Sequence, residues 1–329
     1  MNLKGKDLIT FQDWTKEEIN YLLESTIDLK KRYKAGEVFD YQKQRTLFMI
    51  FFEQSTRTRN SLEAAMTQLG GHAHDLTKGK MQISHGETVK DTGNVLARMG
   101  EGIAIRNCFH ELGNKYISDI AKYSDKPMIS MQDDIYHPLQ VIADYLTIKE
   151  YFPNPEKLKV TILWTYATSH AKPLSVPQSQ ALFFPRFGMD VTVAMPEEFP
   201  LQDDIIKQSK KNAEENGTSI NFTHDKEEAV KNADIVIPKN WGGFGYFDKW
   251  EDTDENKEIM KQNLEKHPDW ILDEKLYSLA NKNAKIMHAL PADRGKEVTD
   301  EILDSENSII YDEAENRLHT ARGLLKELM

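Results

Sequence analysis

The second half of the chain alternates short apolar runs with helical patterns, and this alternation limits the folds that it can adopt. The apolar runs predict strands at 158–165, 190–194, 219–222 and 234–238, and the patterns between them predict helices at 178–187, 203–216 and 226–232. Strands that alternate with helices form a parallel sheet covered by helices, and ligands bind outside the carboxyl ends of its strands. Functional residues are therefore expected directly after the strands.

The first half also mixes strands and helices. An apolar run at 47–52 precedes a helical pattern, and a second apolar run at 128–131 precedes a helix that starts at Pro138. The prolines of segment 151–155 break that helix and mark a domain boundary. The sequence predicts an α/β fold with two doubly wound parallel-sheet domains, which span 1–150 and 151–314.

The composition excludes several classes of protein. The chain has 42 Lys and Arg against 53 Asp and Glu, a net charge of -11, which argues against nonspecific binding of nucleic acid or of an anionic membrane. The N-terminus lacks the apolar core of a signal peptide, so a cytoplasmic protein is predicted. The single cysteine, Cys108, excludes an internal disulfide and a cysteine-rich metal site, and neither a metal nor a cofactor is expected.

The segment Ser55-Thr56-Arg57-Thr58-Arg59 lies between the strand at 47–52 and the next helix. A helix N-terminus leaves backbone N–H groups without intrahelical partners and carries a positive dipole end, so it stabilises a bound anion. The hydroxyls and the two arginines add donors suited to phosphate. Ser or Thr at this place is more often an ordinary helix cap, and an exposed Arg is more often solvated surface.

Three further polar side chains lie at predicted strand ends. Arg106 follows an apolar run, His137 precedes Pro138 and Gln140, and His288 ends a strand that begins at Lys285. A histidine in such a place is more often structural than catalytic. The common location of these residues at strand ends favours a functional role for them. The loop after the strand at 158–165 contains neither a Gly-x-Gly-x-x-Gly fingerprint nor a Walker lysine, which argues against dinucleotide and nucleoside triphosphate binding.

These motifs resemble, in order and over nearly the whole chain, those of the aspartate and ornithine carbamoyltransferases. The matching segments are Ser55-Thr56-Arg57-Thr58-Arg59, Gly86-Glu87-Thr88-Val89-Lys90-Asp91-Thr92, His137-Pro138-Leu139-Gln140, His288-Ala289-Leu290-Pro291 and residues 312–320. The resemblance implies metal-free transfer of a carbamoyl group from carbamoyl phosphate to an amine. It also implies that a C-terminal helix at 315–329 completes the first domain.

The resemblance assigns roles by position. It implies that Arg106, His137 and Thr58 polarise the carbamoyl oxygen, and that Gln140 and the Leu290 carbonyl hold the carbamoyl amide. The whole set that would contact carbamoyl phosphate comprises Ser55, Thr56, Arg57, Thr58, Gln82, Arg106, His137, Gln140, Leu290 and Arg317. Gln82 would reach the phosphate of a neighbouring subunit in a homotrimer with sites at subunit interfaces, and Glu87 is a second candidate for crossing that interface.

The acceptor amine is less constrained. Ornithine enzymes carry Ser-Met-Gly in the second-domain loop and Cys in their His-Cys-Leu-Pro motif, whereas this chain has Trp241-Gly242-Gly243 and Ala289. Asp293 would favour a cationic acceptor, and Lys239 and Arg294 could bind a carboxylate. An amino acid or a related small diamine is expected. The predicted acceptor-binding residues are Tyr166, Lys239, Trp241, His288, Pro291 and Asp293.

The segments around Lys172 and Lys239 also resemble the knotted transcarbamylases, which act on N-acetylornithine or N-succinylornithine or have unassigned substrates. This resemblance predicts that 172–177 encircles chain within 239–250 as a trefoil knot, a rare exception to the rule against threading. A proline-bearing loop is more often an ordinary turn. Two alternatives to this enzyme are a catalytically silent sensor of carbamoyl phosphate and a true ornithine carbamoyltransferase, and a dehydrogenase is less favoured.

Overall fold

The computed structural model describes residues 1–77, 79, 81–167, 172–242 and 254–329. The chain forms two compact units, and it passes from one to the other within two helices. The first unit contains Met1–Leu146 with Glu315–Met329, and the second contains Thr147–Ala314.

Parallel strands form the centre of each unit. In the described residues the strands are β1 (Thr46–Phe51), β2 (His72–Thr77), β3 (Gly102–Asn107), β4 (Met128–Asp133), β5 (Lys159–Trp164), β6 (Asp190–Ala194), β7 (Ile220–Thr223), β8 (Ile235–Lys239) and β9 (Lys285–Ile286). The first unit has the sheet order β2-β1-β3-β4 and the second β7-β6-β5-β8-β9, and all of these strand pairs are parallel. This architecture confirms the predicted fold class.

Helices connect the strands. In the described residues they are α1 (Lys16–Lys34), α2 (Arg57–Gln68), α3 (Val89–Met99), α4 (Gly113–Ala121), α5 (Pro138–Tyr151), α6 (Ser175–Phe183), α7 (Asp203–Asn216), α8 (Lys226–Val230), α9 (Asp254–Leu264), α10 (Glu274–Tyr277), α11 (Asp300–Leu303) and α12 (Ile310–Leu328). None of the described helices is long and apolar enough to cross a membrane.

The first sheet is stabilised by apolar residues of β1, β3 and the helices that cover them. Phe48 and Ile50 of β1 join Ile103 and Ile105 of β3 in one buried cluster, to which α3 contributes Leu96. Removing such side chains from water is the main favourable term in folding. The core therefore keeps β1 and β3 side by side, and the residues that follow these strands lie at the same edge of the sheet.

The second unit follows the predicted alternation closely. β6 and α7 have the predicted bounds, and β5 is shorter by one residue at each end. The predicted helix 178–187 begins earlier, at Ser175, and becomes a 3-10 turn from Phe184, where Pro185 disfavours continuation of the helix.

The predicted position of His288 at the end of a strand is wrong. β9 ends at Ile286, two residues before His288, because the His288 N–H donates 2.8 Å to the Glu313 carboxylate instead of to a neighbouring strand. His288 therefore lies in the loop that follows β9.

Each sheet reverses its strand order at one point. β2 lies on one side of β1 and β3 on the other, and β6 lies on one side of β5 and β8 on the other. At such a reversal the connecting loops diverge and leave a crevice outside the carboxyl ends of the strands, where α/β proteins bind ligands. The β1–β3 and β5–β8 pairs are therefore the places where each unit is suited to bind a ligand.

The segments of the predicted knot contact each other where both are described. The Gly242 N–H donates 3.0 Å to the Lys172 carbonyl, and the Lys172 N–H donates 3.4 Å to Asn240 Oδ1. These bonds join two segments and do not establish threading. Residues 243–250 of the predicted encircled chain lie outside the described residues, so the knot stays a prediction.

The contact of α12 with α1 generates a stability prediction. A Cβ added at Gly323 would lie 2.0 Å from Thr26 Oγ1. Overpacking of this kind costs about 1–3 kcal/mol, so Gly323→Ala should lower the unfolding free energy measured in urea by about that amount. Adding Thr26→Ala, which removes Oγ1, should recover part of the loss. Strict additivity of the two substitutions would contradict the contact.

Candidate active site

The segment predicted to bind an anion forms the N-terminus of α2. Thr56 occupies the N-cap position and makes no side-chain cap hydrogen bond, whereas Thr15 and Thr88 cap α1 and α3 through their hydroxyls. Thr56 is therefore not an ordinary side-chain cap of α2. Within the segment, Ser55 and Arg57 are half-buried.

The two arginines of this segment differ. Arg59 forms a close ion pair with Asp75 of β2, and its guanidinium lies 4.0 Å from the centre of the Phe51 ring. Its charge is thus compensated by a carboxylate of the same unit. Arg59 is therefore a weaker candidate for an external phosphate than its position in the motif suggests.

A buried guanidinium connects this segment to α5. Arg317 of α12 is only 4% exposed; its Nη2 donates 2.8 Å to Thr58 Oγ1, and its Nη1 donates to Gln140 Oε1. Gln140 in turn donates 2.7 Å from Nε2 to Asp144. A buried cation must be hydrogen-bonded, so this arrangement fixes Thr58 and Gln140 around one positive charge. Arg317 therefore brings two predicted site residues together.

Arg106 occupies the end of β3, next to the end of β1. Its Nη1 donates to Gln132 Oε1, and its Nε lies 4.0 Å from Glu53 Oε2. Glu53 also accepts 3.0 Å from the Cys108 N–H, and burial raises the pKa of its carboxyl. The predicted catalytic arginine thus projects from the β1–β3 reversal point.

His137 is placed by a buried turn at the end of β4. The Asp133 carboxylate accepts from the Ile135 N–H at 2.9 Å and the Tyr136 N–H at 2.6 Å, and burial raises the pKa of Asp133 to about 7. The turn delivers His137, which is 4% exposed, to the start of α5. The carboxyl end of β4 therefore also contributes a predicted site residue.

Gln82, the residue predicted to reach a neighbouring subunit, begins a 3-10 turn and is exposed.

In the second unit the predicted residues follow three neighbouring strands, β5, β8 and β9. Tyr166 lies just after β5, half-buried, and its N–H donates 2.7 Å to the Trp270 carbonyl. Lys239 ends β8, and its Nζ, in a largely buried side chain, donates 3.0 Å to the Asn240 carbonyl. The β5–β8 reversal point thus carries one phenol and one ammonium group.

Trp241 belongs to the core of the second unit. Its indole is fully buried and donates 2.8 Å to the Phe199 carbonyl, and its own carbonyl accepts 2.8 Å from the Trp164 indole. Trp164 stacks on Phe199 with ring centroids 4.6 Å apart. These contacts argue against direct contact of the Trp241 side chain with an acceptor, because the indole is committed to packing.

His288 is fully buried, and its tautomer follows from its hydrogen bonds. The Leu290 N–H donates 2.9 Å to Nδ1, so the neutral ring carries its proton on Nε2, which faces Glu297 Oε1 at 3.6 Å. Burial lowers the pKa of His288 and outweighs the neighbouring Glu297 carboxylate, which acts in the opposite direction. A role in orienting the chain fits this geometry better than direct contact with a substrate.

The charges expected to select the acceptor are paired within the second unit. Asp293 Oδ1 lies 3.5 Å from the Lys172 Nζ. Arg294 donates to Asp300 at 2.5 Å and to Asp304 at 2.8 Å, so the expectation that Arg294 binds a carboxylate of the acceptor is not supported. Pro291, on the same loop, is exposed. In the described residues, the charges of Asp293 and Arg294 are therefore already paired with charges of the protein.

Two residues of this region were not predicted as functional from sequence. Glu297 is fully buried and accepts 2.6 Å from the Asn240 N–H, and Lys172 donates 2.5 Å to it. Although burial opposes ionisation, the neighbouring His288 ring and the charges of Lys239 and Lys172 hold the pKa of Glu297 well below its usual range. The partners lie far apart in sequence, so no local pattern signals the pairing.

The sequence and the structure are similar to known transcarbamylases. The family models described as the carbamoyl-P binding domain and the Asp/Orn binding domain of aspartate/ornithine carbamoyltransferase match residues 6–150 and 164–328. Ornithine carbamoyltransferase of Halalkalibacterium halodurans is 37% identical over 329 residues, which cover 100% of this chain and 97% of that protein. Ornithine carbamoyltransferase of Pyrococcus abyssi gives the same identity and coverage.

Solved structures agree with these relatives. Ornithine carbamoyltransferase from Pyrococcus furiosus superposes with a TM-score of 0.86 at 35% identity, covering 100% of this chain and 98% of that one. Acetylornithine transcarbamylase complexed with acetylcitrulline superposes with a TM-score of 0.87 at 31% identity, covering 98% of this chain and 99% of that one. Both comparisons span both units.

The buried His288 generates a pH prediction. Its folded pKa lies below the ordinary value of about 6.5, so protonation favours the unfolded chain, and its stabilising contribution is lost as the pH falls from about 6.5 through the folded pKa. His288→Asn retains an acceptor for the Leu290 N–H but does not titrate. Urea unfolding at pH 7 and pH 5 should show a smaller loss of unfolding free energy for this variant than for wild type.

The exposed His85 provides a matched control for this experiment. His85→Asn should keep the wild-type dependence on pH. Equal slopes for wild type and His288→Asn would show that His288 is not held neutral by the fold.

Proposed function

Because the chain belongs to the aspartate/ornithine carbamoyltransferase family and is a transcarbamylase, we propose that it moves the carbamoyl group of carbamoyl phosphate to the amine of an ornithine-like amino acid. The observation that carries this proposal is the buried Arg317, which is hydrogen-bonded to Thr58 and Gln140. A guanidinium held at the N-terminal turns of two helices suits a phosphorylated, carbonyl-bearing ligand.

In this proposal residues 1–150 with 315–329 form the domain that binds carbamoyl phosphate, and residues 151–314 form the domain that binds the acceptor. Backbone N–H groups of the α2 N-terminus receive the phosphate. The side chains that contact carbamoyl phosphate are Ser55, Thr56, Arg57, Thr58, Arg106, His137, Gln140 and Arg317, with Gln82 from a neighbouring subunit. The Leu290 carbonyl of the second unit accepts from the carbamoyl amide.

The chemistry needs donors aimed at the carbamoyl oxygen. When the neutral amine attacks, a C–N bond forms and an electron pair moves onto that oxygen. The carbonyl then re-forms as the C–O bond to phosphate breaks, and the departing phosphate accepts the proton that the nitrogen loses. Donors from Arg106, His137 and Thr58 that are already in place stabilise the developing charge without reorganisation. The clamped phosphate also fixes the position of the carbamoyl carbon, which removes part of the entropic cost of attack.

Gln140 takes part through its amide oxygen. Oε1 already accepts from Arg317, and a carbonyl oxygen has a second lone pair that can accept from the carbamoyl NH2 group. Because Nε2 is held by Asp144, the amide cannot rotate freely and the oxygen keeps its direction. Gln140 thus distinguishes a carbamoyl group from an acyl group that lacks an amide.

The acceptor is proposed to be an ornithine-like amino acid, a derivative of ornithine or a related small diamine. The full-length relatives at 37% identity are named ornithine carbamoyltransferases, which favours ornithine itself as a second candidate. Two differences from ornithine enzymes argue against ornithine. This chain has Trp241-Gly242-Gly243 in place of their Ser-Met-Gly, and Ala289 in place of their Cys. The acetylcitrulline bound to acetylornithine transcarbamylase is a ligand of that protein.

A direct assay tests the proposal. The protein is incubated with carbamoyl phosphate and a panel containing ornithine, N-acetylornithine, N-succinylornithine and putrescine, and both phosphate release and the ureido product are measured. Carbamoylation of one member supports the proposal and names the acceptor. Tight carbamoyl phosphate binding with no product from any amine would favour the sensor alternative.

The two arginines of α2 give a matched pair of variants. Arg57→Ala removes a charge-assisted contact to phosphate and should weaken carbamoyl phosphate binding by about 10- to 100-fold in calorimetric titration. Arg59→Ala should change the affinity much less, because Asp75 already pairs that charge. Equal effects of the two substitutions, or no effect of the first, would refute the assignment of Arg57.

A homotrimer is proposed as the active assembly, in which Gln82 of one subunit reaches a neighbour. Its exposed position in a 3-10 turn is compatible with such a contact. Light scattering after size exclusion should give the mass of three chains, and a monomer that is fully active would refute the assembly.

A further inference from the structure

Lys172 lies at the centre of the polar network in the second unit. Its Nζ donates 3.0 Å to the Pro291 carbonyl and 2.5 Å to Glu297 Oε2, and it lies 3.5 Å from Asp293 Oδ1. The side chain is 11% exposed. One ammonium group therefore contacts a backbone carbonyl and two carboxylates of the loop that follows β9.

Glu297 needs this cation. Its carboxylate is fully buried and accepts from the Asn240 N–H at 2.6 Å and the Asp293 N–H at 2.7 Å. A buried carboxylate with hydrogen bonds but no opposite charge would be strongly destabilising. Lys172 supplies the charge at hydrogen-bond distance, and Glu297 then orients the chain on both sides of it.

The backbone of Lys172 is tied to the same region. Its carbonyl accepts 3.0 Å from the Gly242 N–H, and its N–H donates 3.4 Å to Asn240 Oδ1. Lys172 therefore joins three segments: its own loop before α6, the chain after β8, and the loop after β9. None of these bonds depends on residues outside the described parts of the chain.

The loop after β9 contains a residue that must be held in place. Leu290 has φ 47°, in the left-handed region that is unfavourable for a residue with a branched side chain. Such a conformation persists only where surrounding contacts maintain it, and it is enriched at functional sites. Two hydrogen bonds can maintain it here: Lys172 donates to the Pro291 carbonyl, and the Leu290 N–H donates to His288.

We propose that Lys172 is a positioning residue, which holds the Leu290–Pro291 turn through Pro291 and Glu297 and so fixes the Leu290 carbonyl for the reaction. This inference rests on the proposed function, in which that carbonyl accepts from the carbamoyl amide. It also means that Asp293 is compensated by Lys172 and does not by itself select a cationic acceptor.

Replacement of Lys172 by an uncharged residue tests the proposal. Lys172→Met should lower kcat by about 100-fold, because a small displacement of a positioning group has effects of that size. The affinity for carbamoyl phosphate should change much less than kcat, since its proposed ligands other than the Leu290 carbonyl belong to the first unit. The exposed Lys296 of the same loop is the matched control, and Lys296→Met should keep the wild-type kcat.

Hydrogen exchange gives a readout that is independent of activity. The amides of Asn240 and Asp293, which donate to Glu297, should exchange faster in Lys172→Met than in wild type or in Lys296→Met. Lys172→Arg retains the charge and should restore protection and most of the activity. If Lys172→Met does not fold, Lys172→Gln takes its place in both measurements.

The outcomes separate the inference from the proposed function. A wild-type protein that carbamoylates no amine contradicts the proposed function, and the exchange data still decide whether Lys172 holds the loop. An active wild type with a Lys172→Met kcat within about twofold of the Lys296→Met value overturns the inference. Unchanged protection of both amides also overturns it.

Discussion

The structure depends on one geometric constraint: the carboxyl ends of parallel strands meet at the same edge of a sheet. In the first unit this edge carries the α2 N-terminus, Arg106 and His137, after β1, β3 and β4, which are neighbours in the sheet. In the second unit it carries Tyr166, Lys239 and His288, after the neighbouring strands β5, β8 and β9. Residues far apart in sequence are thus collected without any local motif that joins them.

A second constraint is that buried charges need partners. Arg317 in the first unit donates to Thr58 and Gln140, and Glu297 in the second unit is paired with Lys172 and accepts from two backbone N–H groups. In each unit one buried ion determines the orientation of several neighbours, because losing any contact would leave a charge in a low-dielectric environment. Burying these ions costs free energy, and their hydrogen bonds give several neighbouring side chains one defined orientation.

The fold was largely predictable because its signals are local. Apolar runs, helical periodicity and helix-breaking prolines identified β6 and α7 with their bounds, and the same reasoning placed polar residues after strands. Predictions about side-chain roles were weaker. The sequence suggests that Trp241 contacts the acceptor, but its side chain is buried in the core. It also suggests that Arg294 can bind a carboxylate, but Arg294 pairs with Asp300 and Asp304. Neither burial nor an ion pair with a distant residue can be inferred from neighbouring residues in the sequence.

The sequence by itself determined the two parallel-sheet units, the order of the motifs and the family that they resemble, because these properties follow from short-range patterns along the chain. The tertiary structure decided which charges are available. It paired Arg59 with Asp75, Asp293 with Lys172 and Glu297 with Lys172. The physical reason is that electrostatic pairing depends on distance in space, and only the folded chain sets that distance.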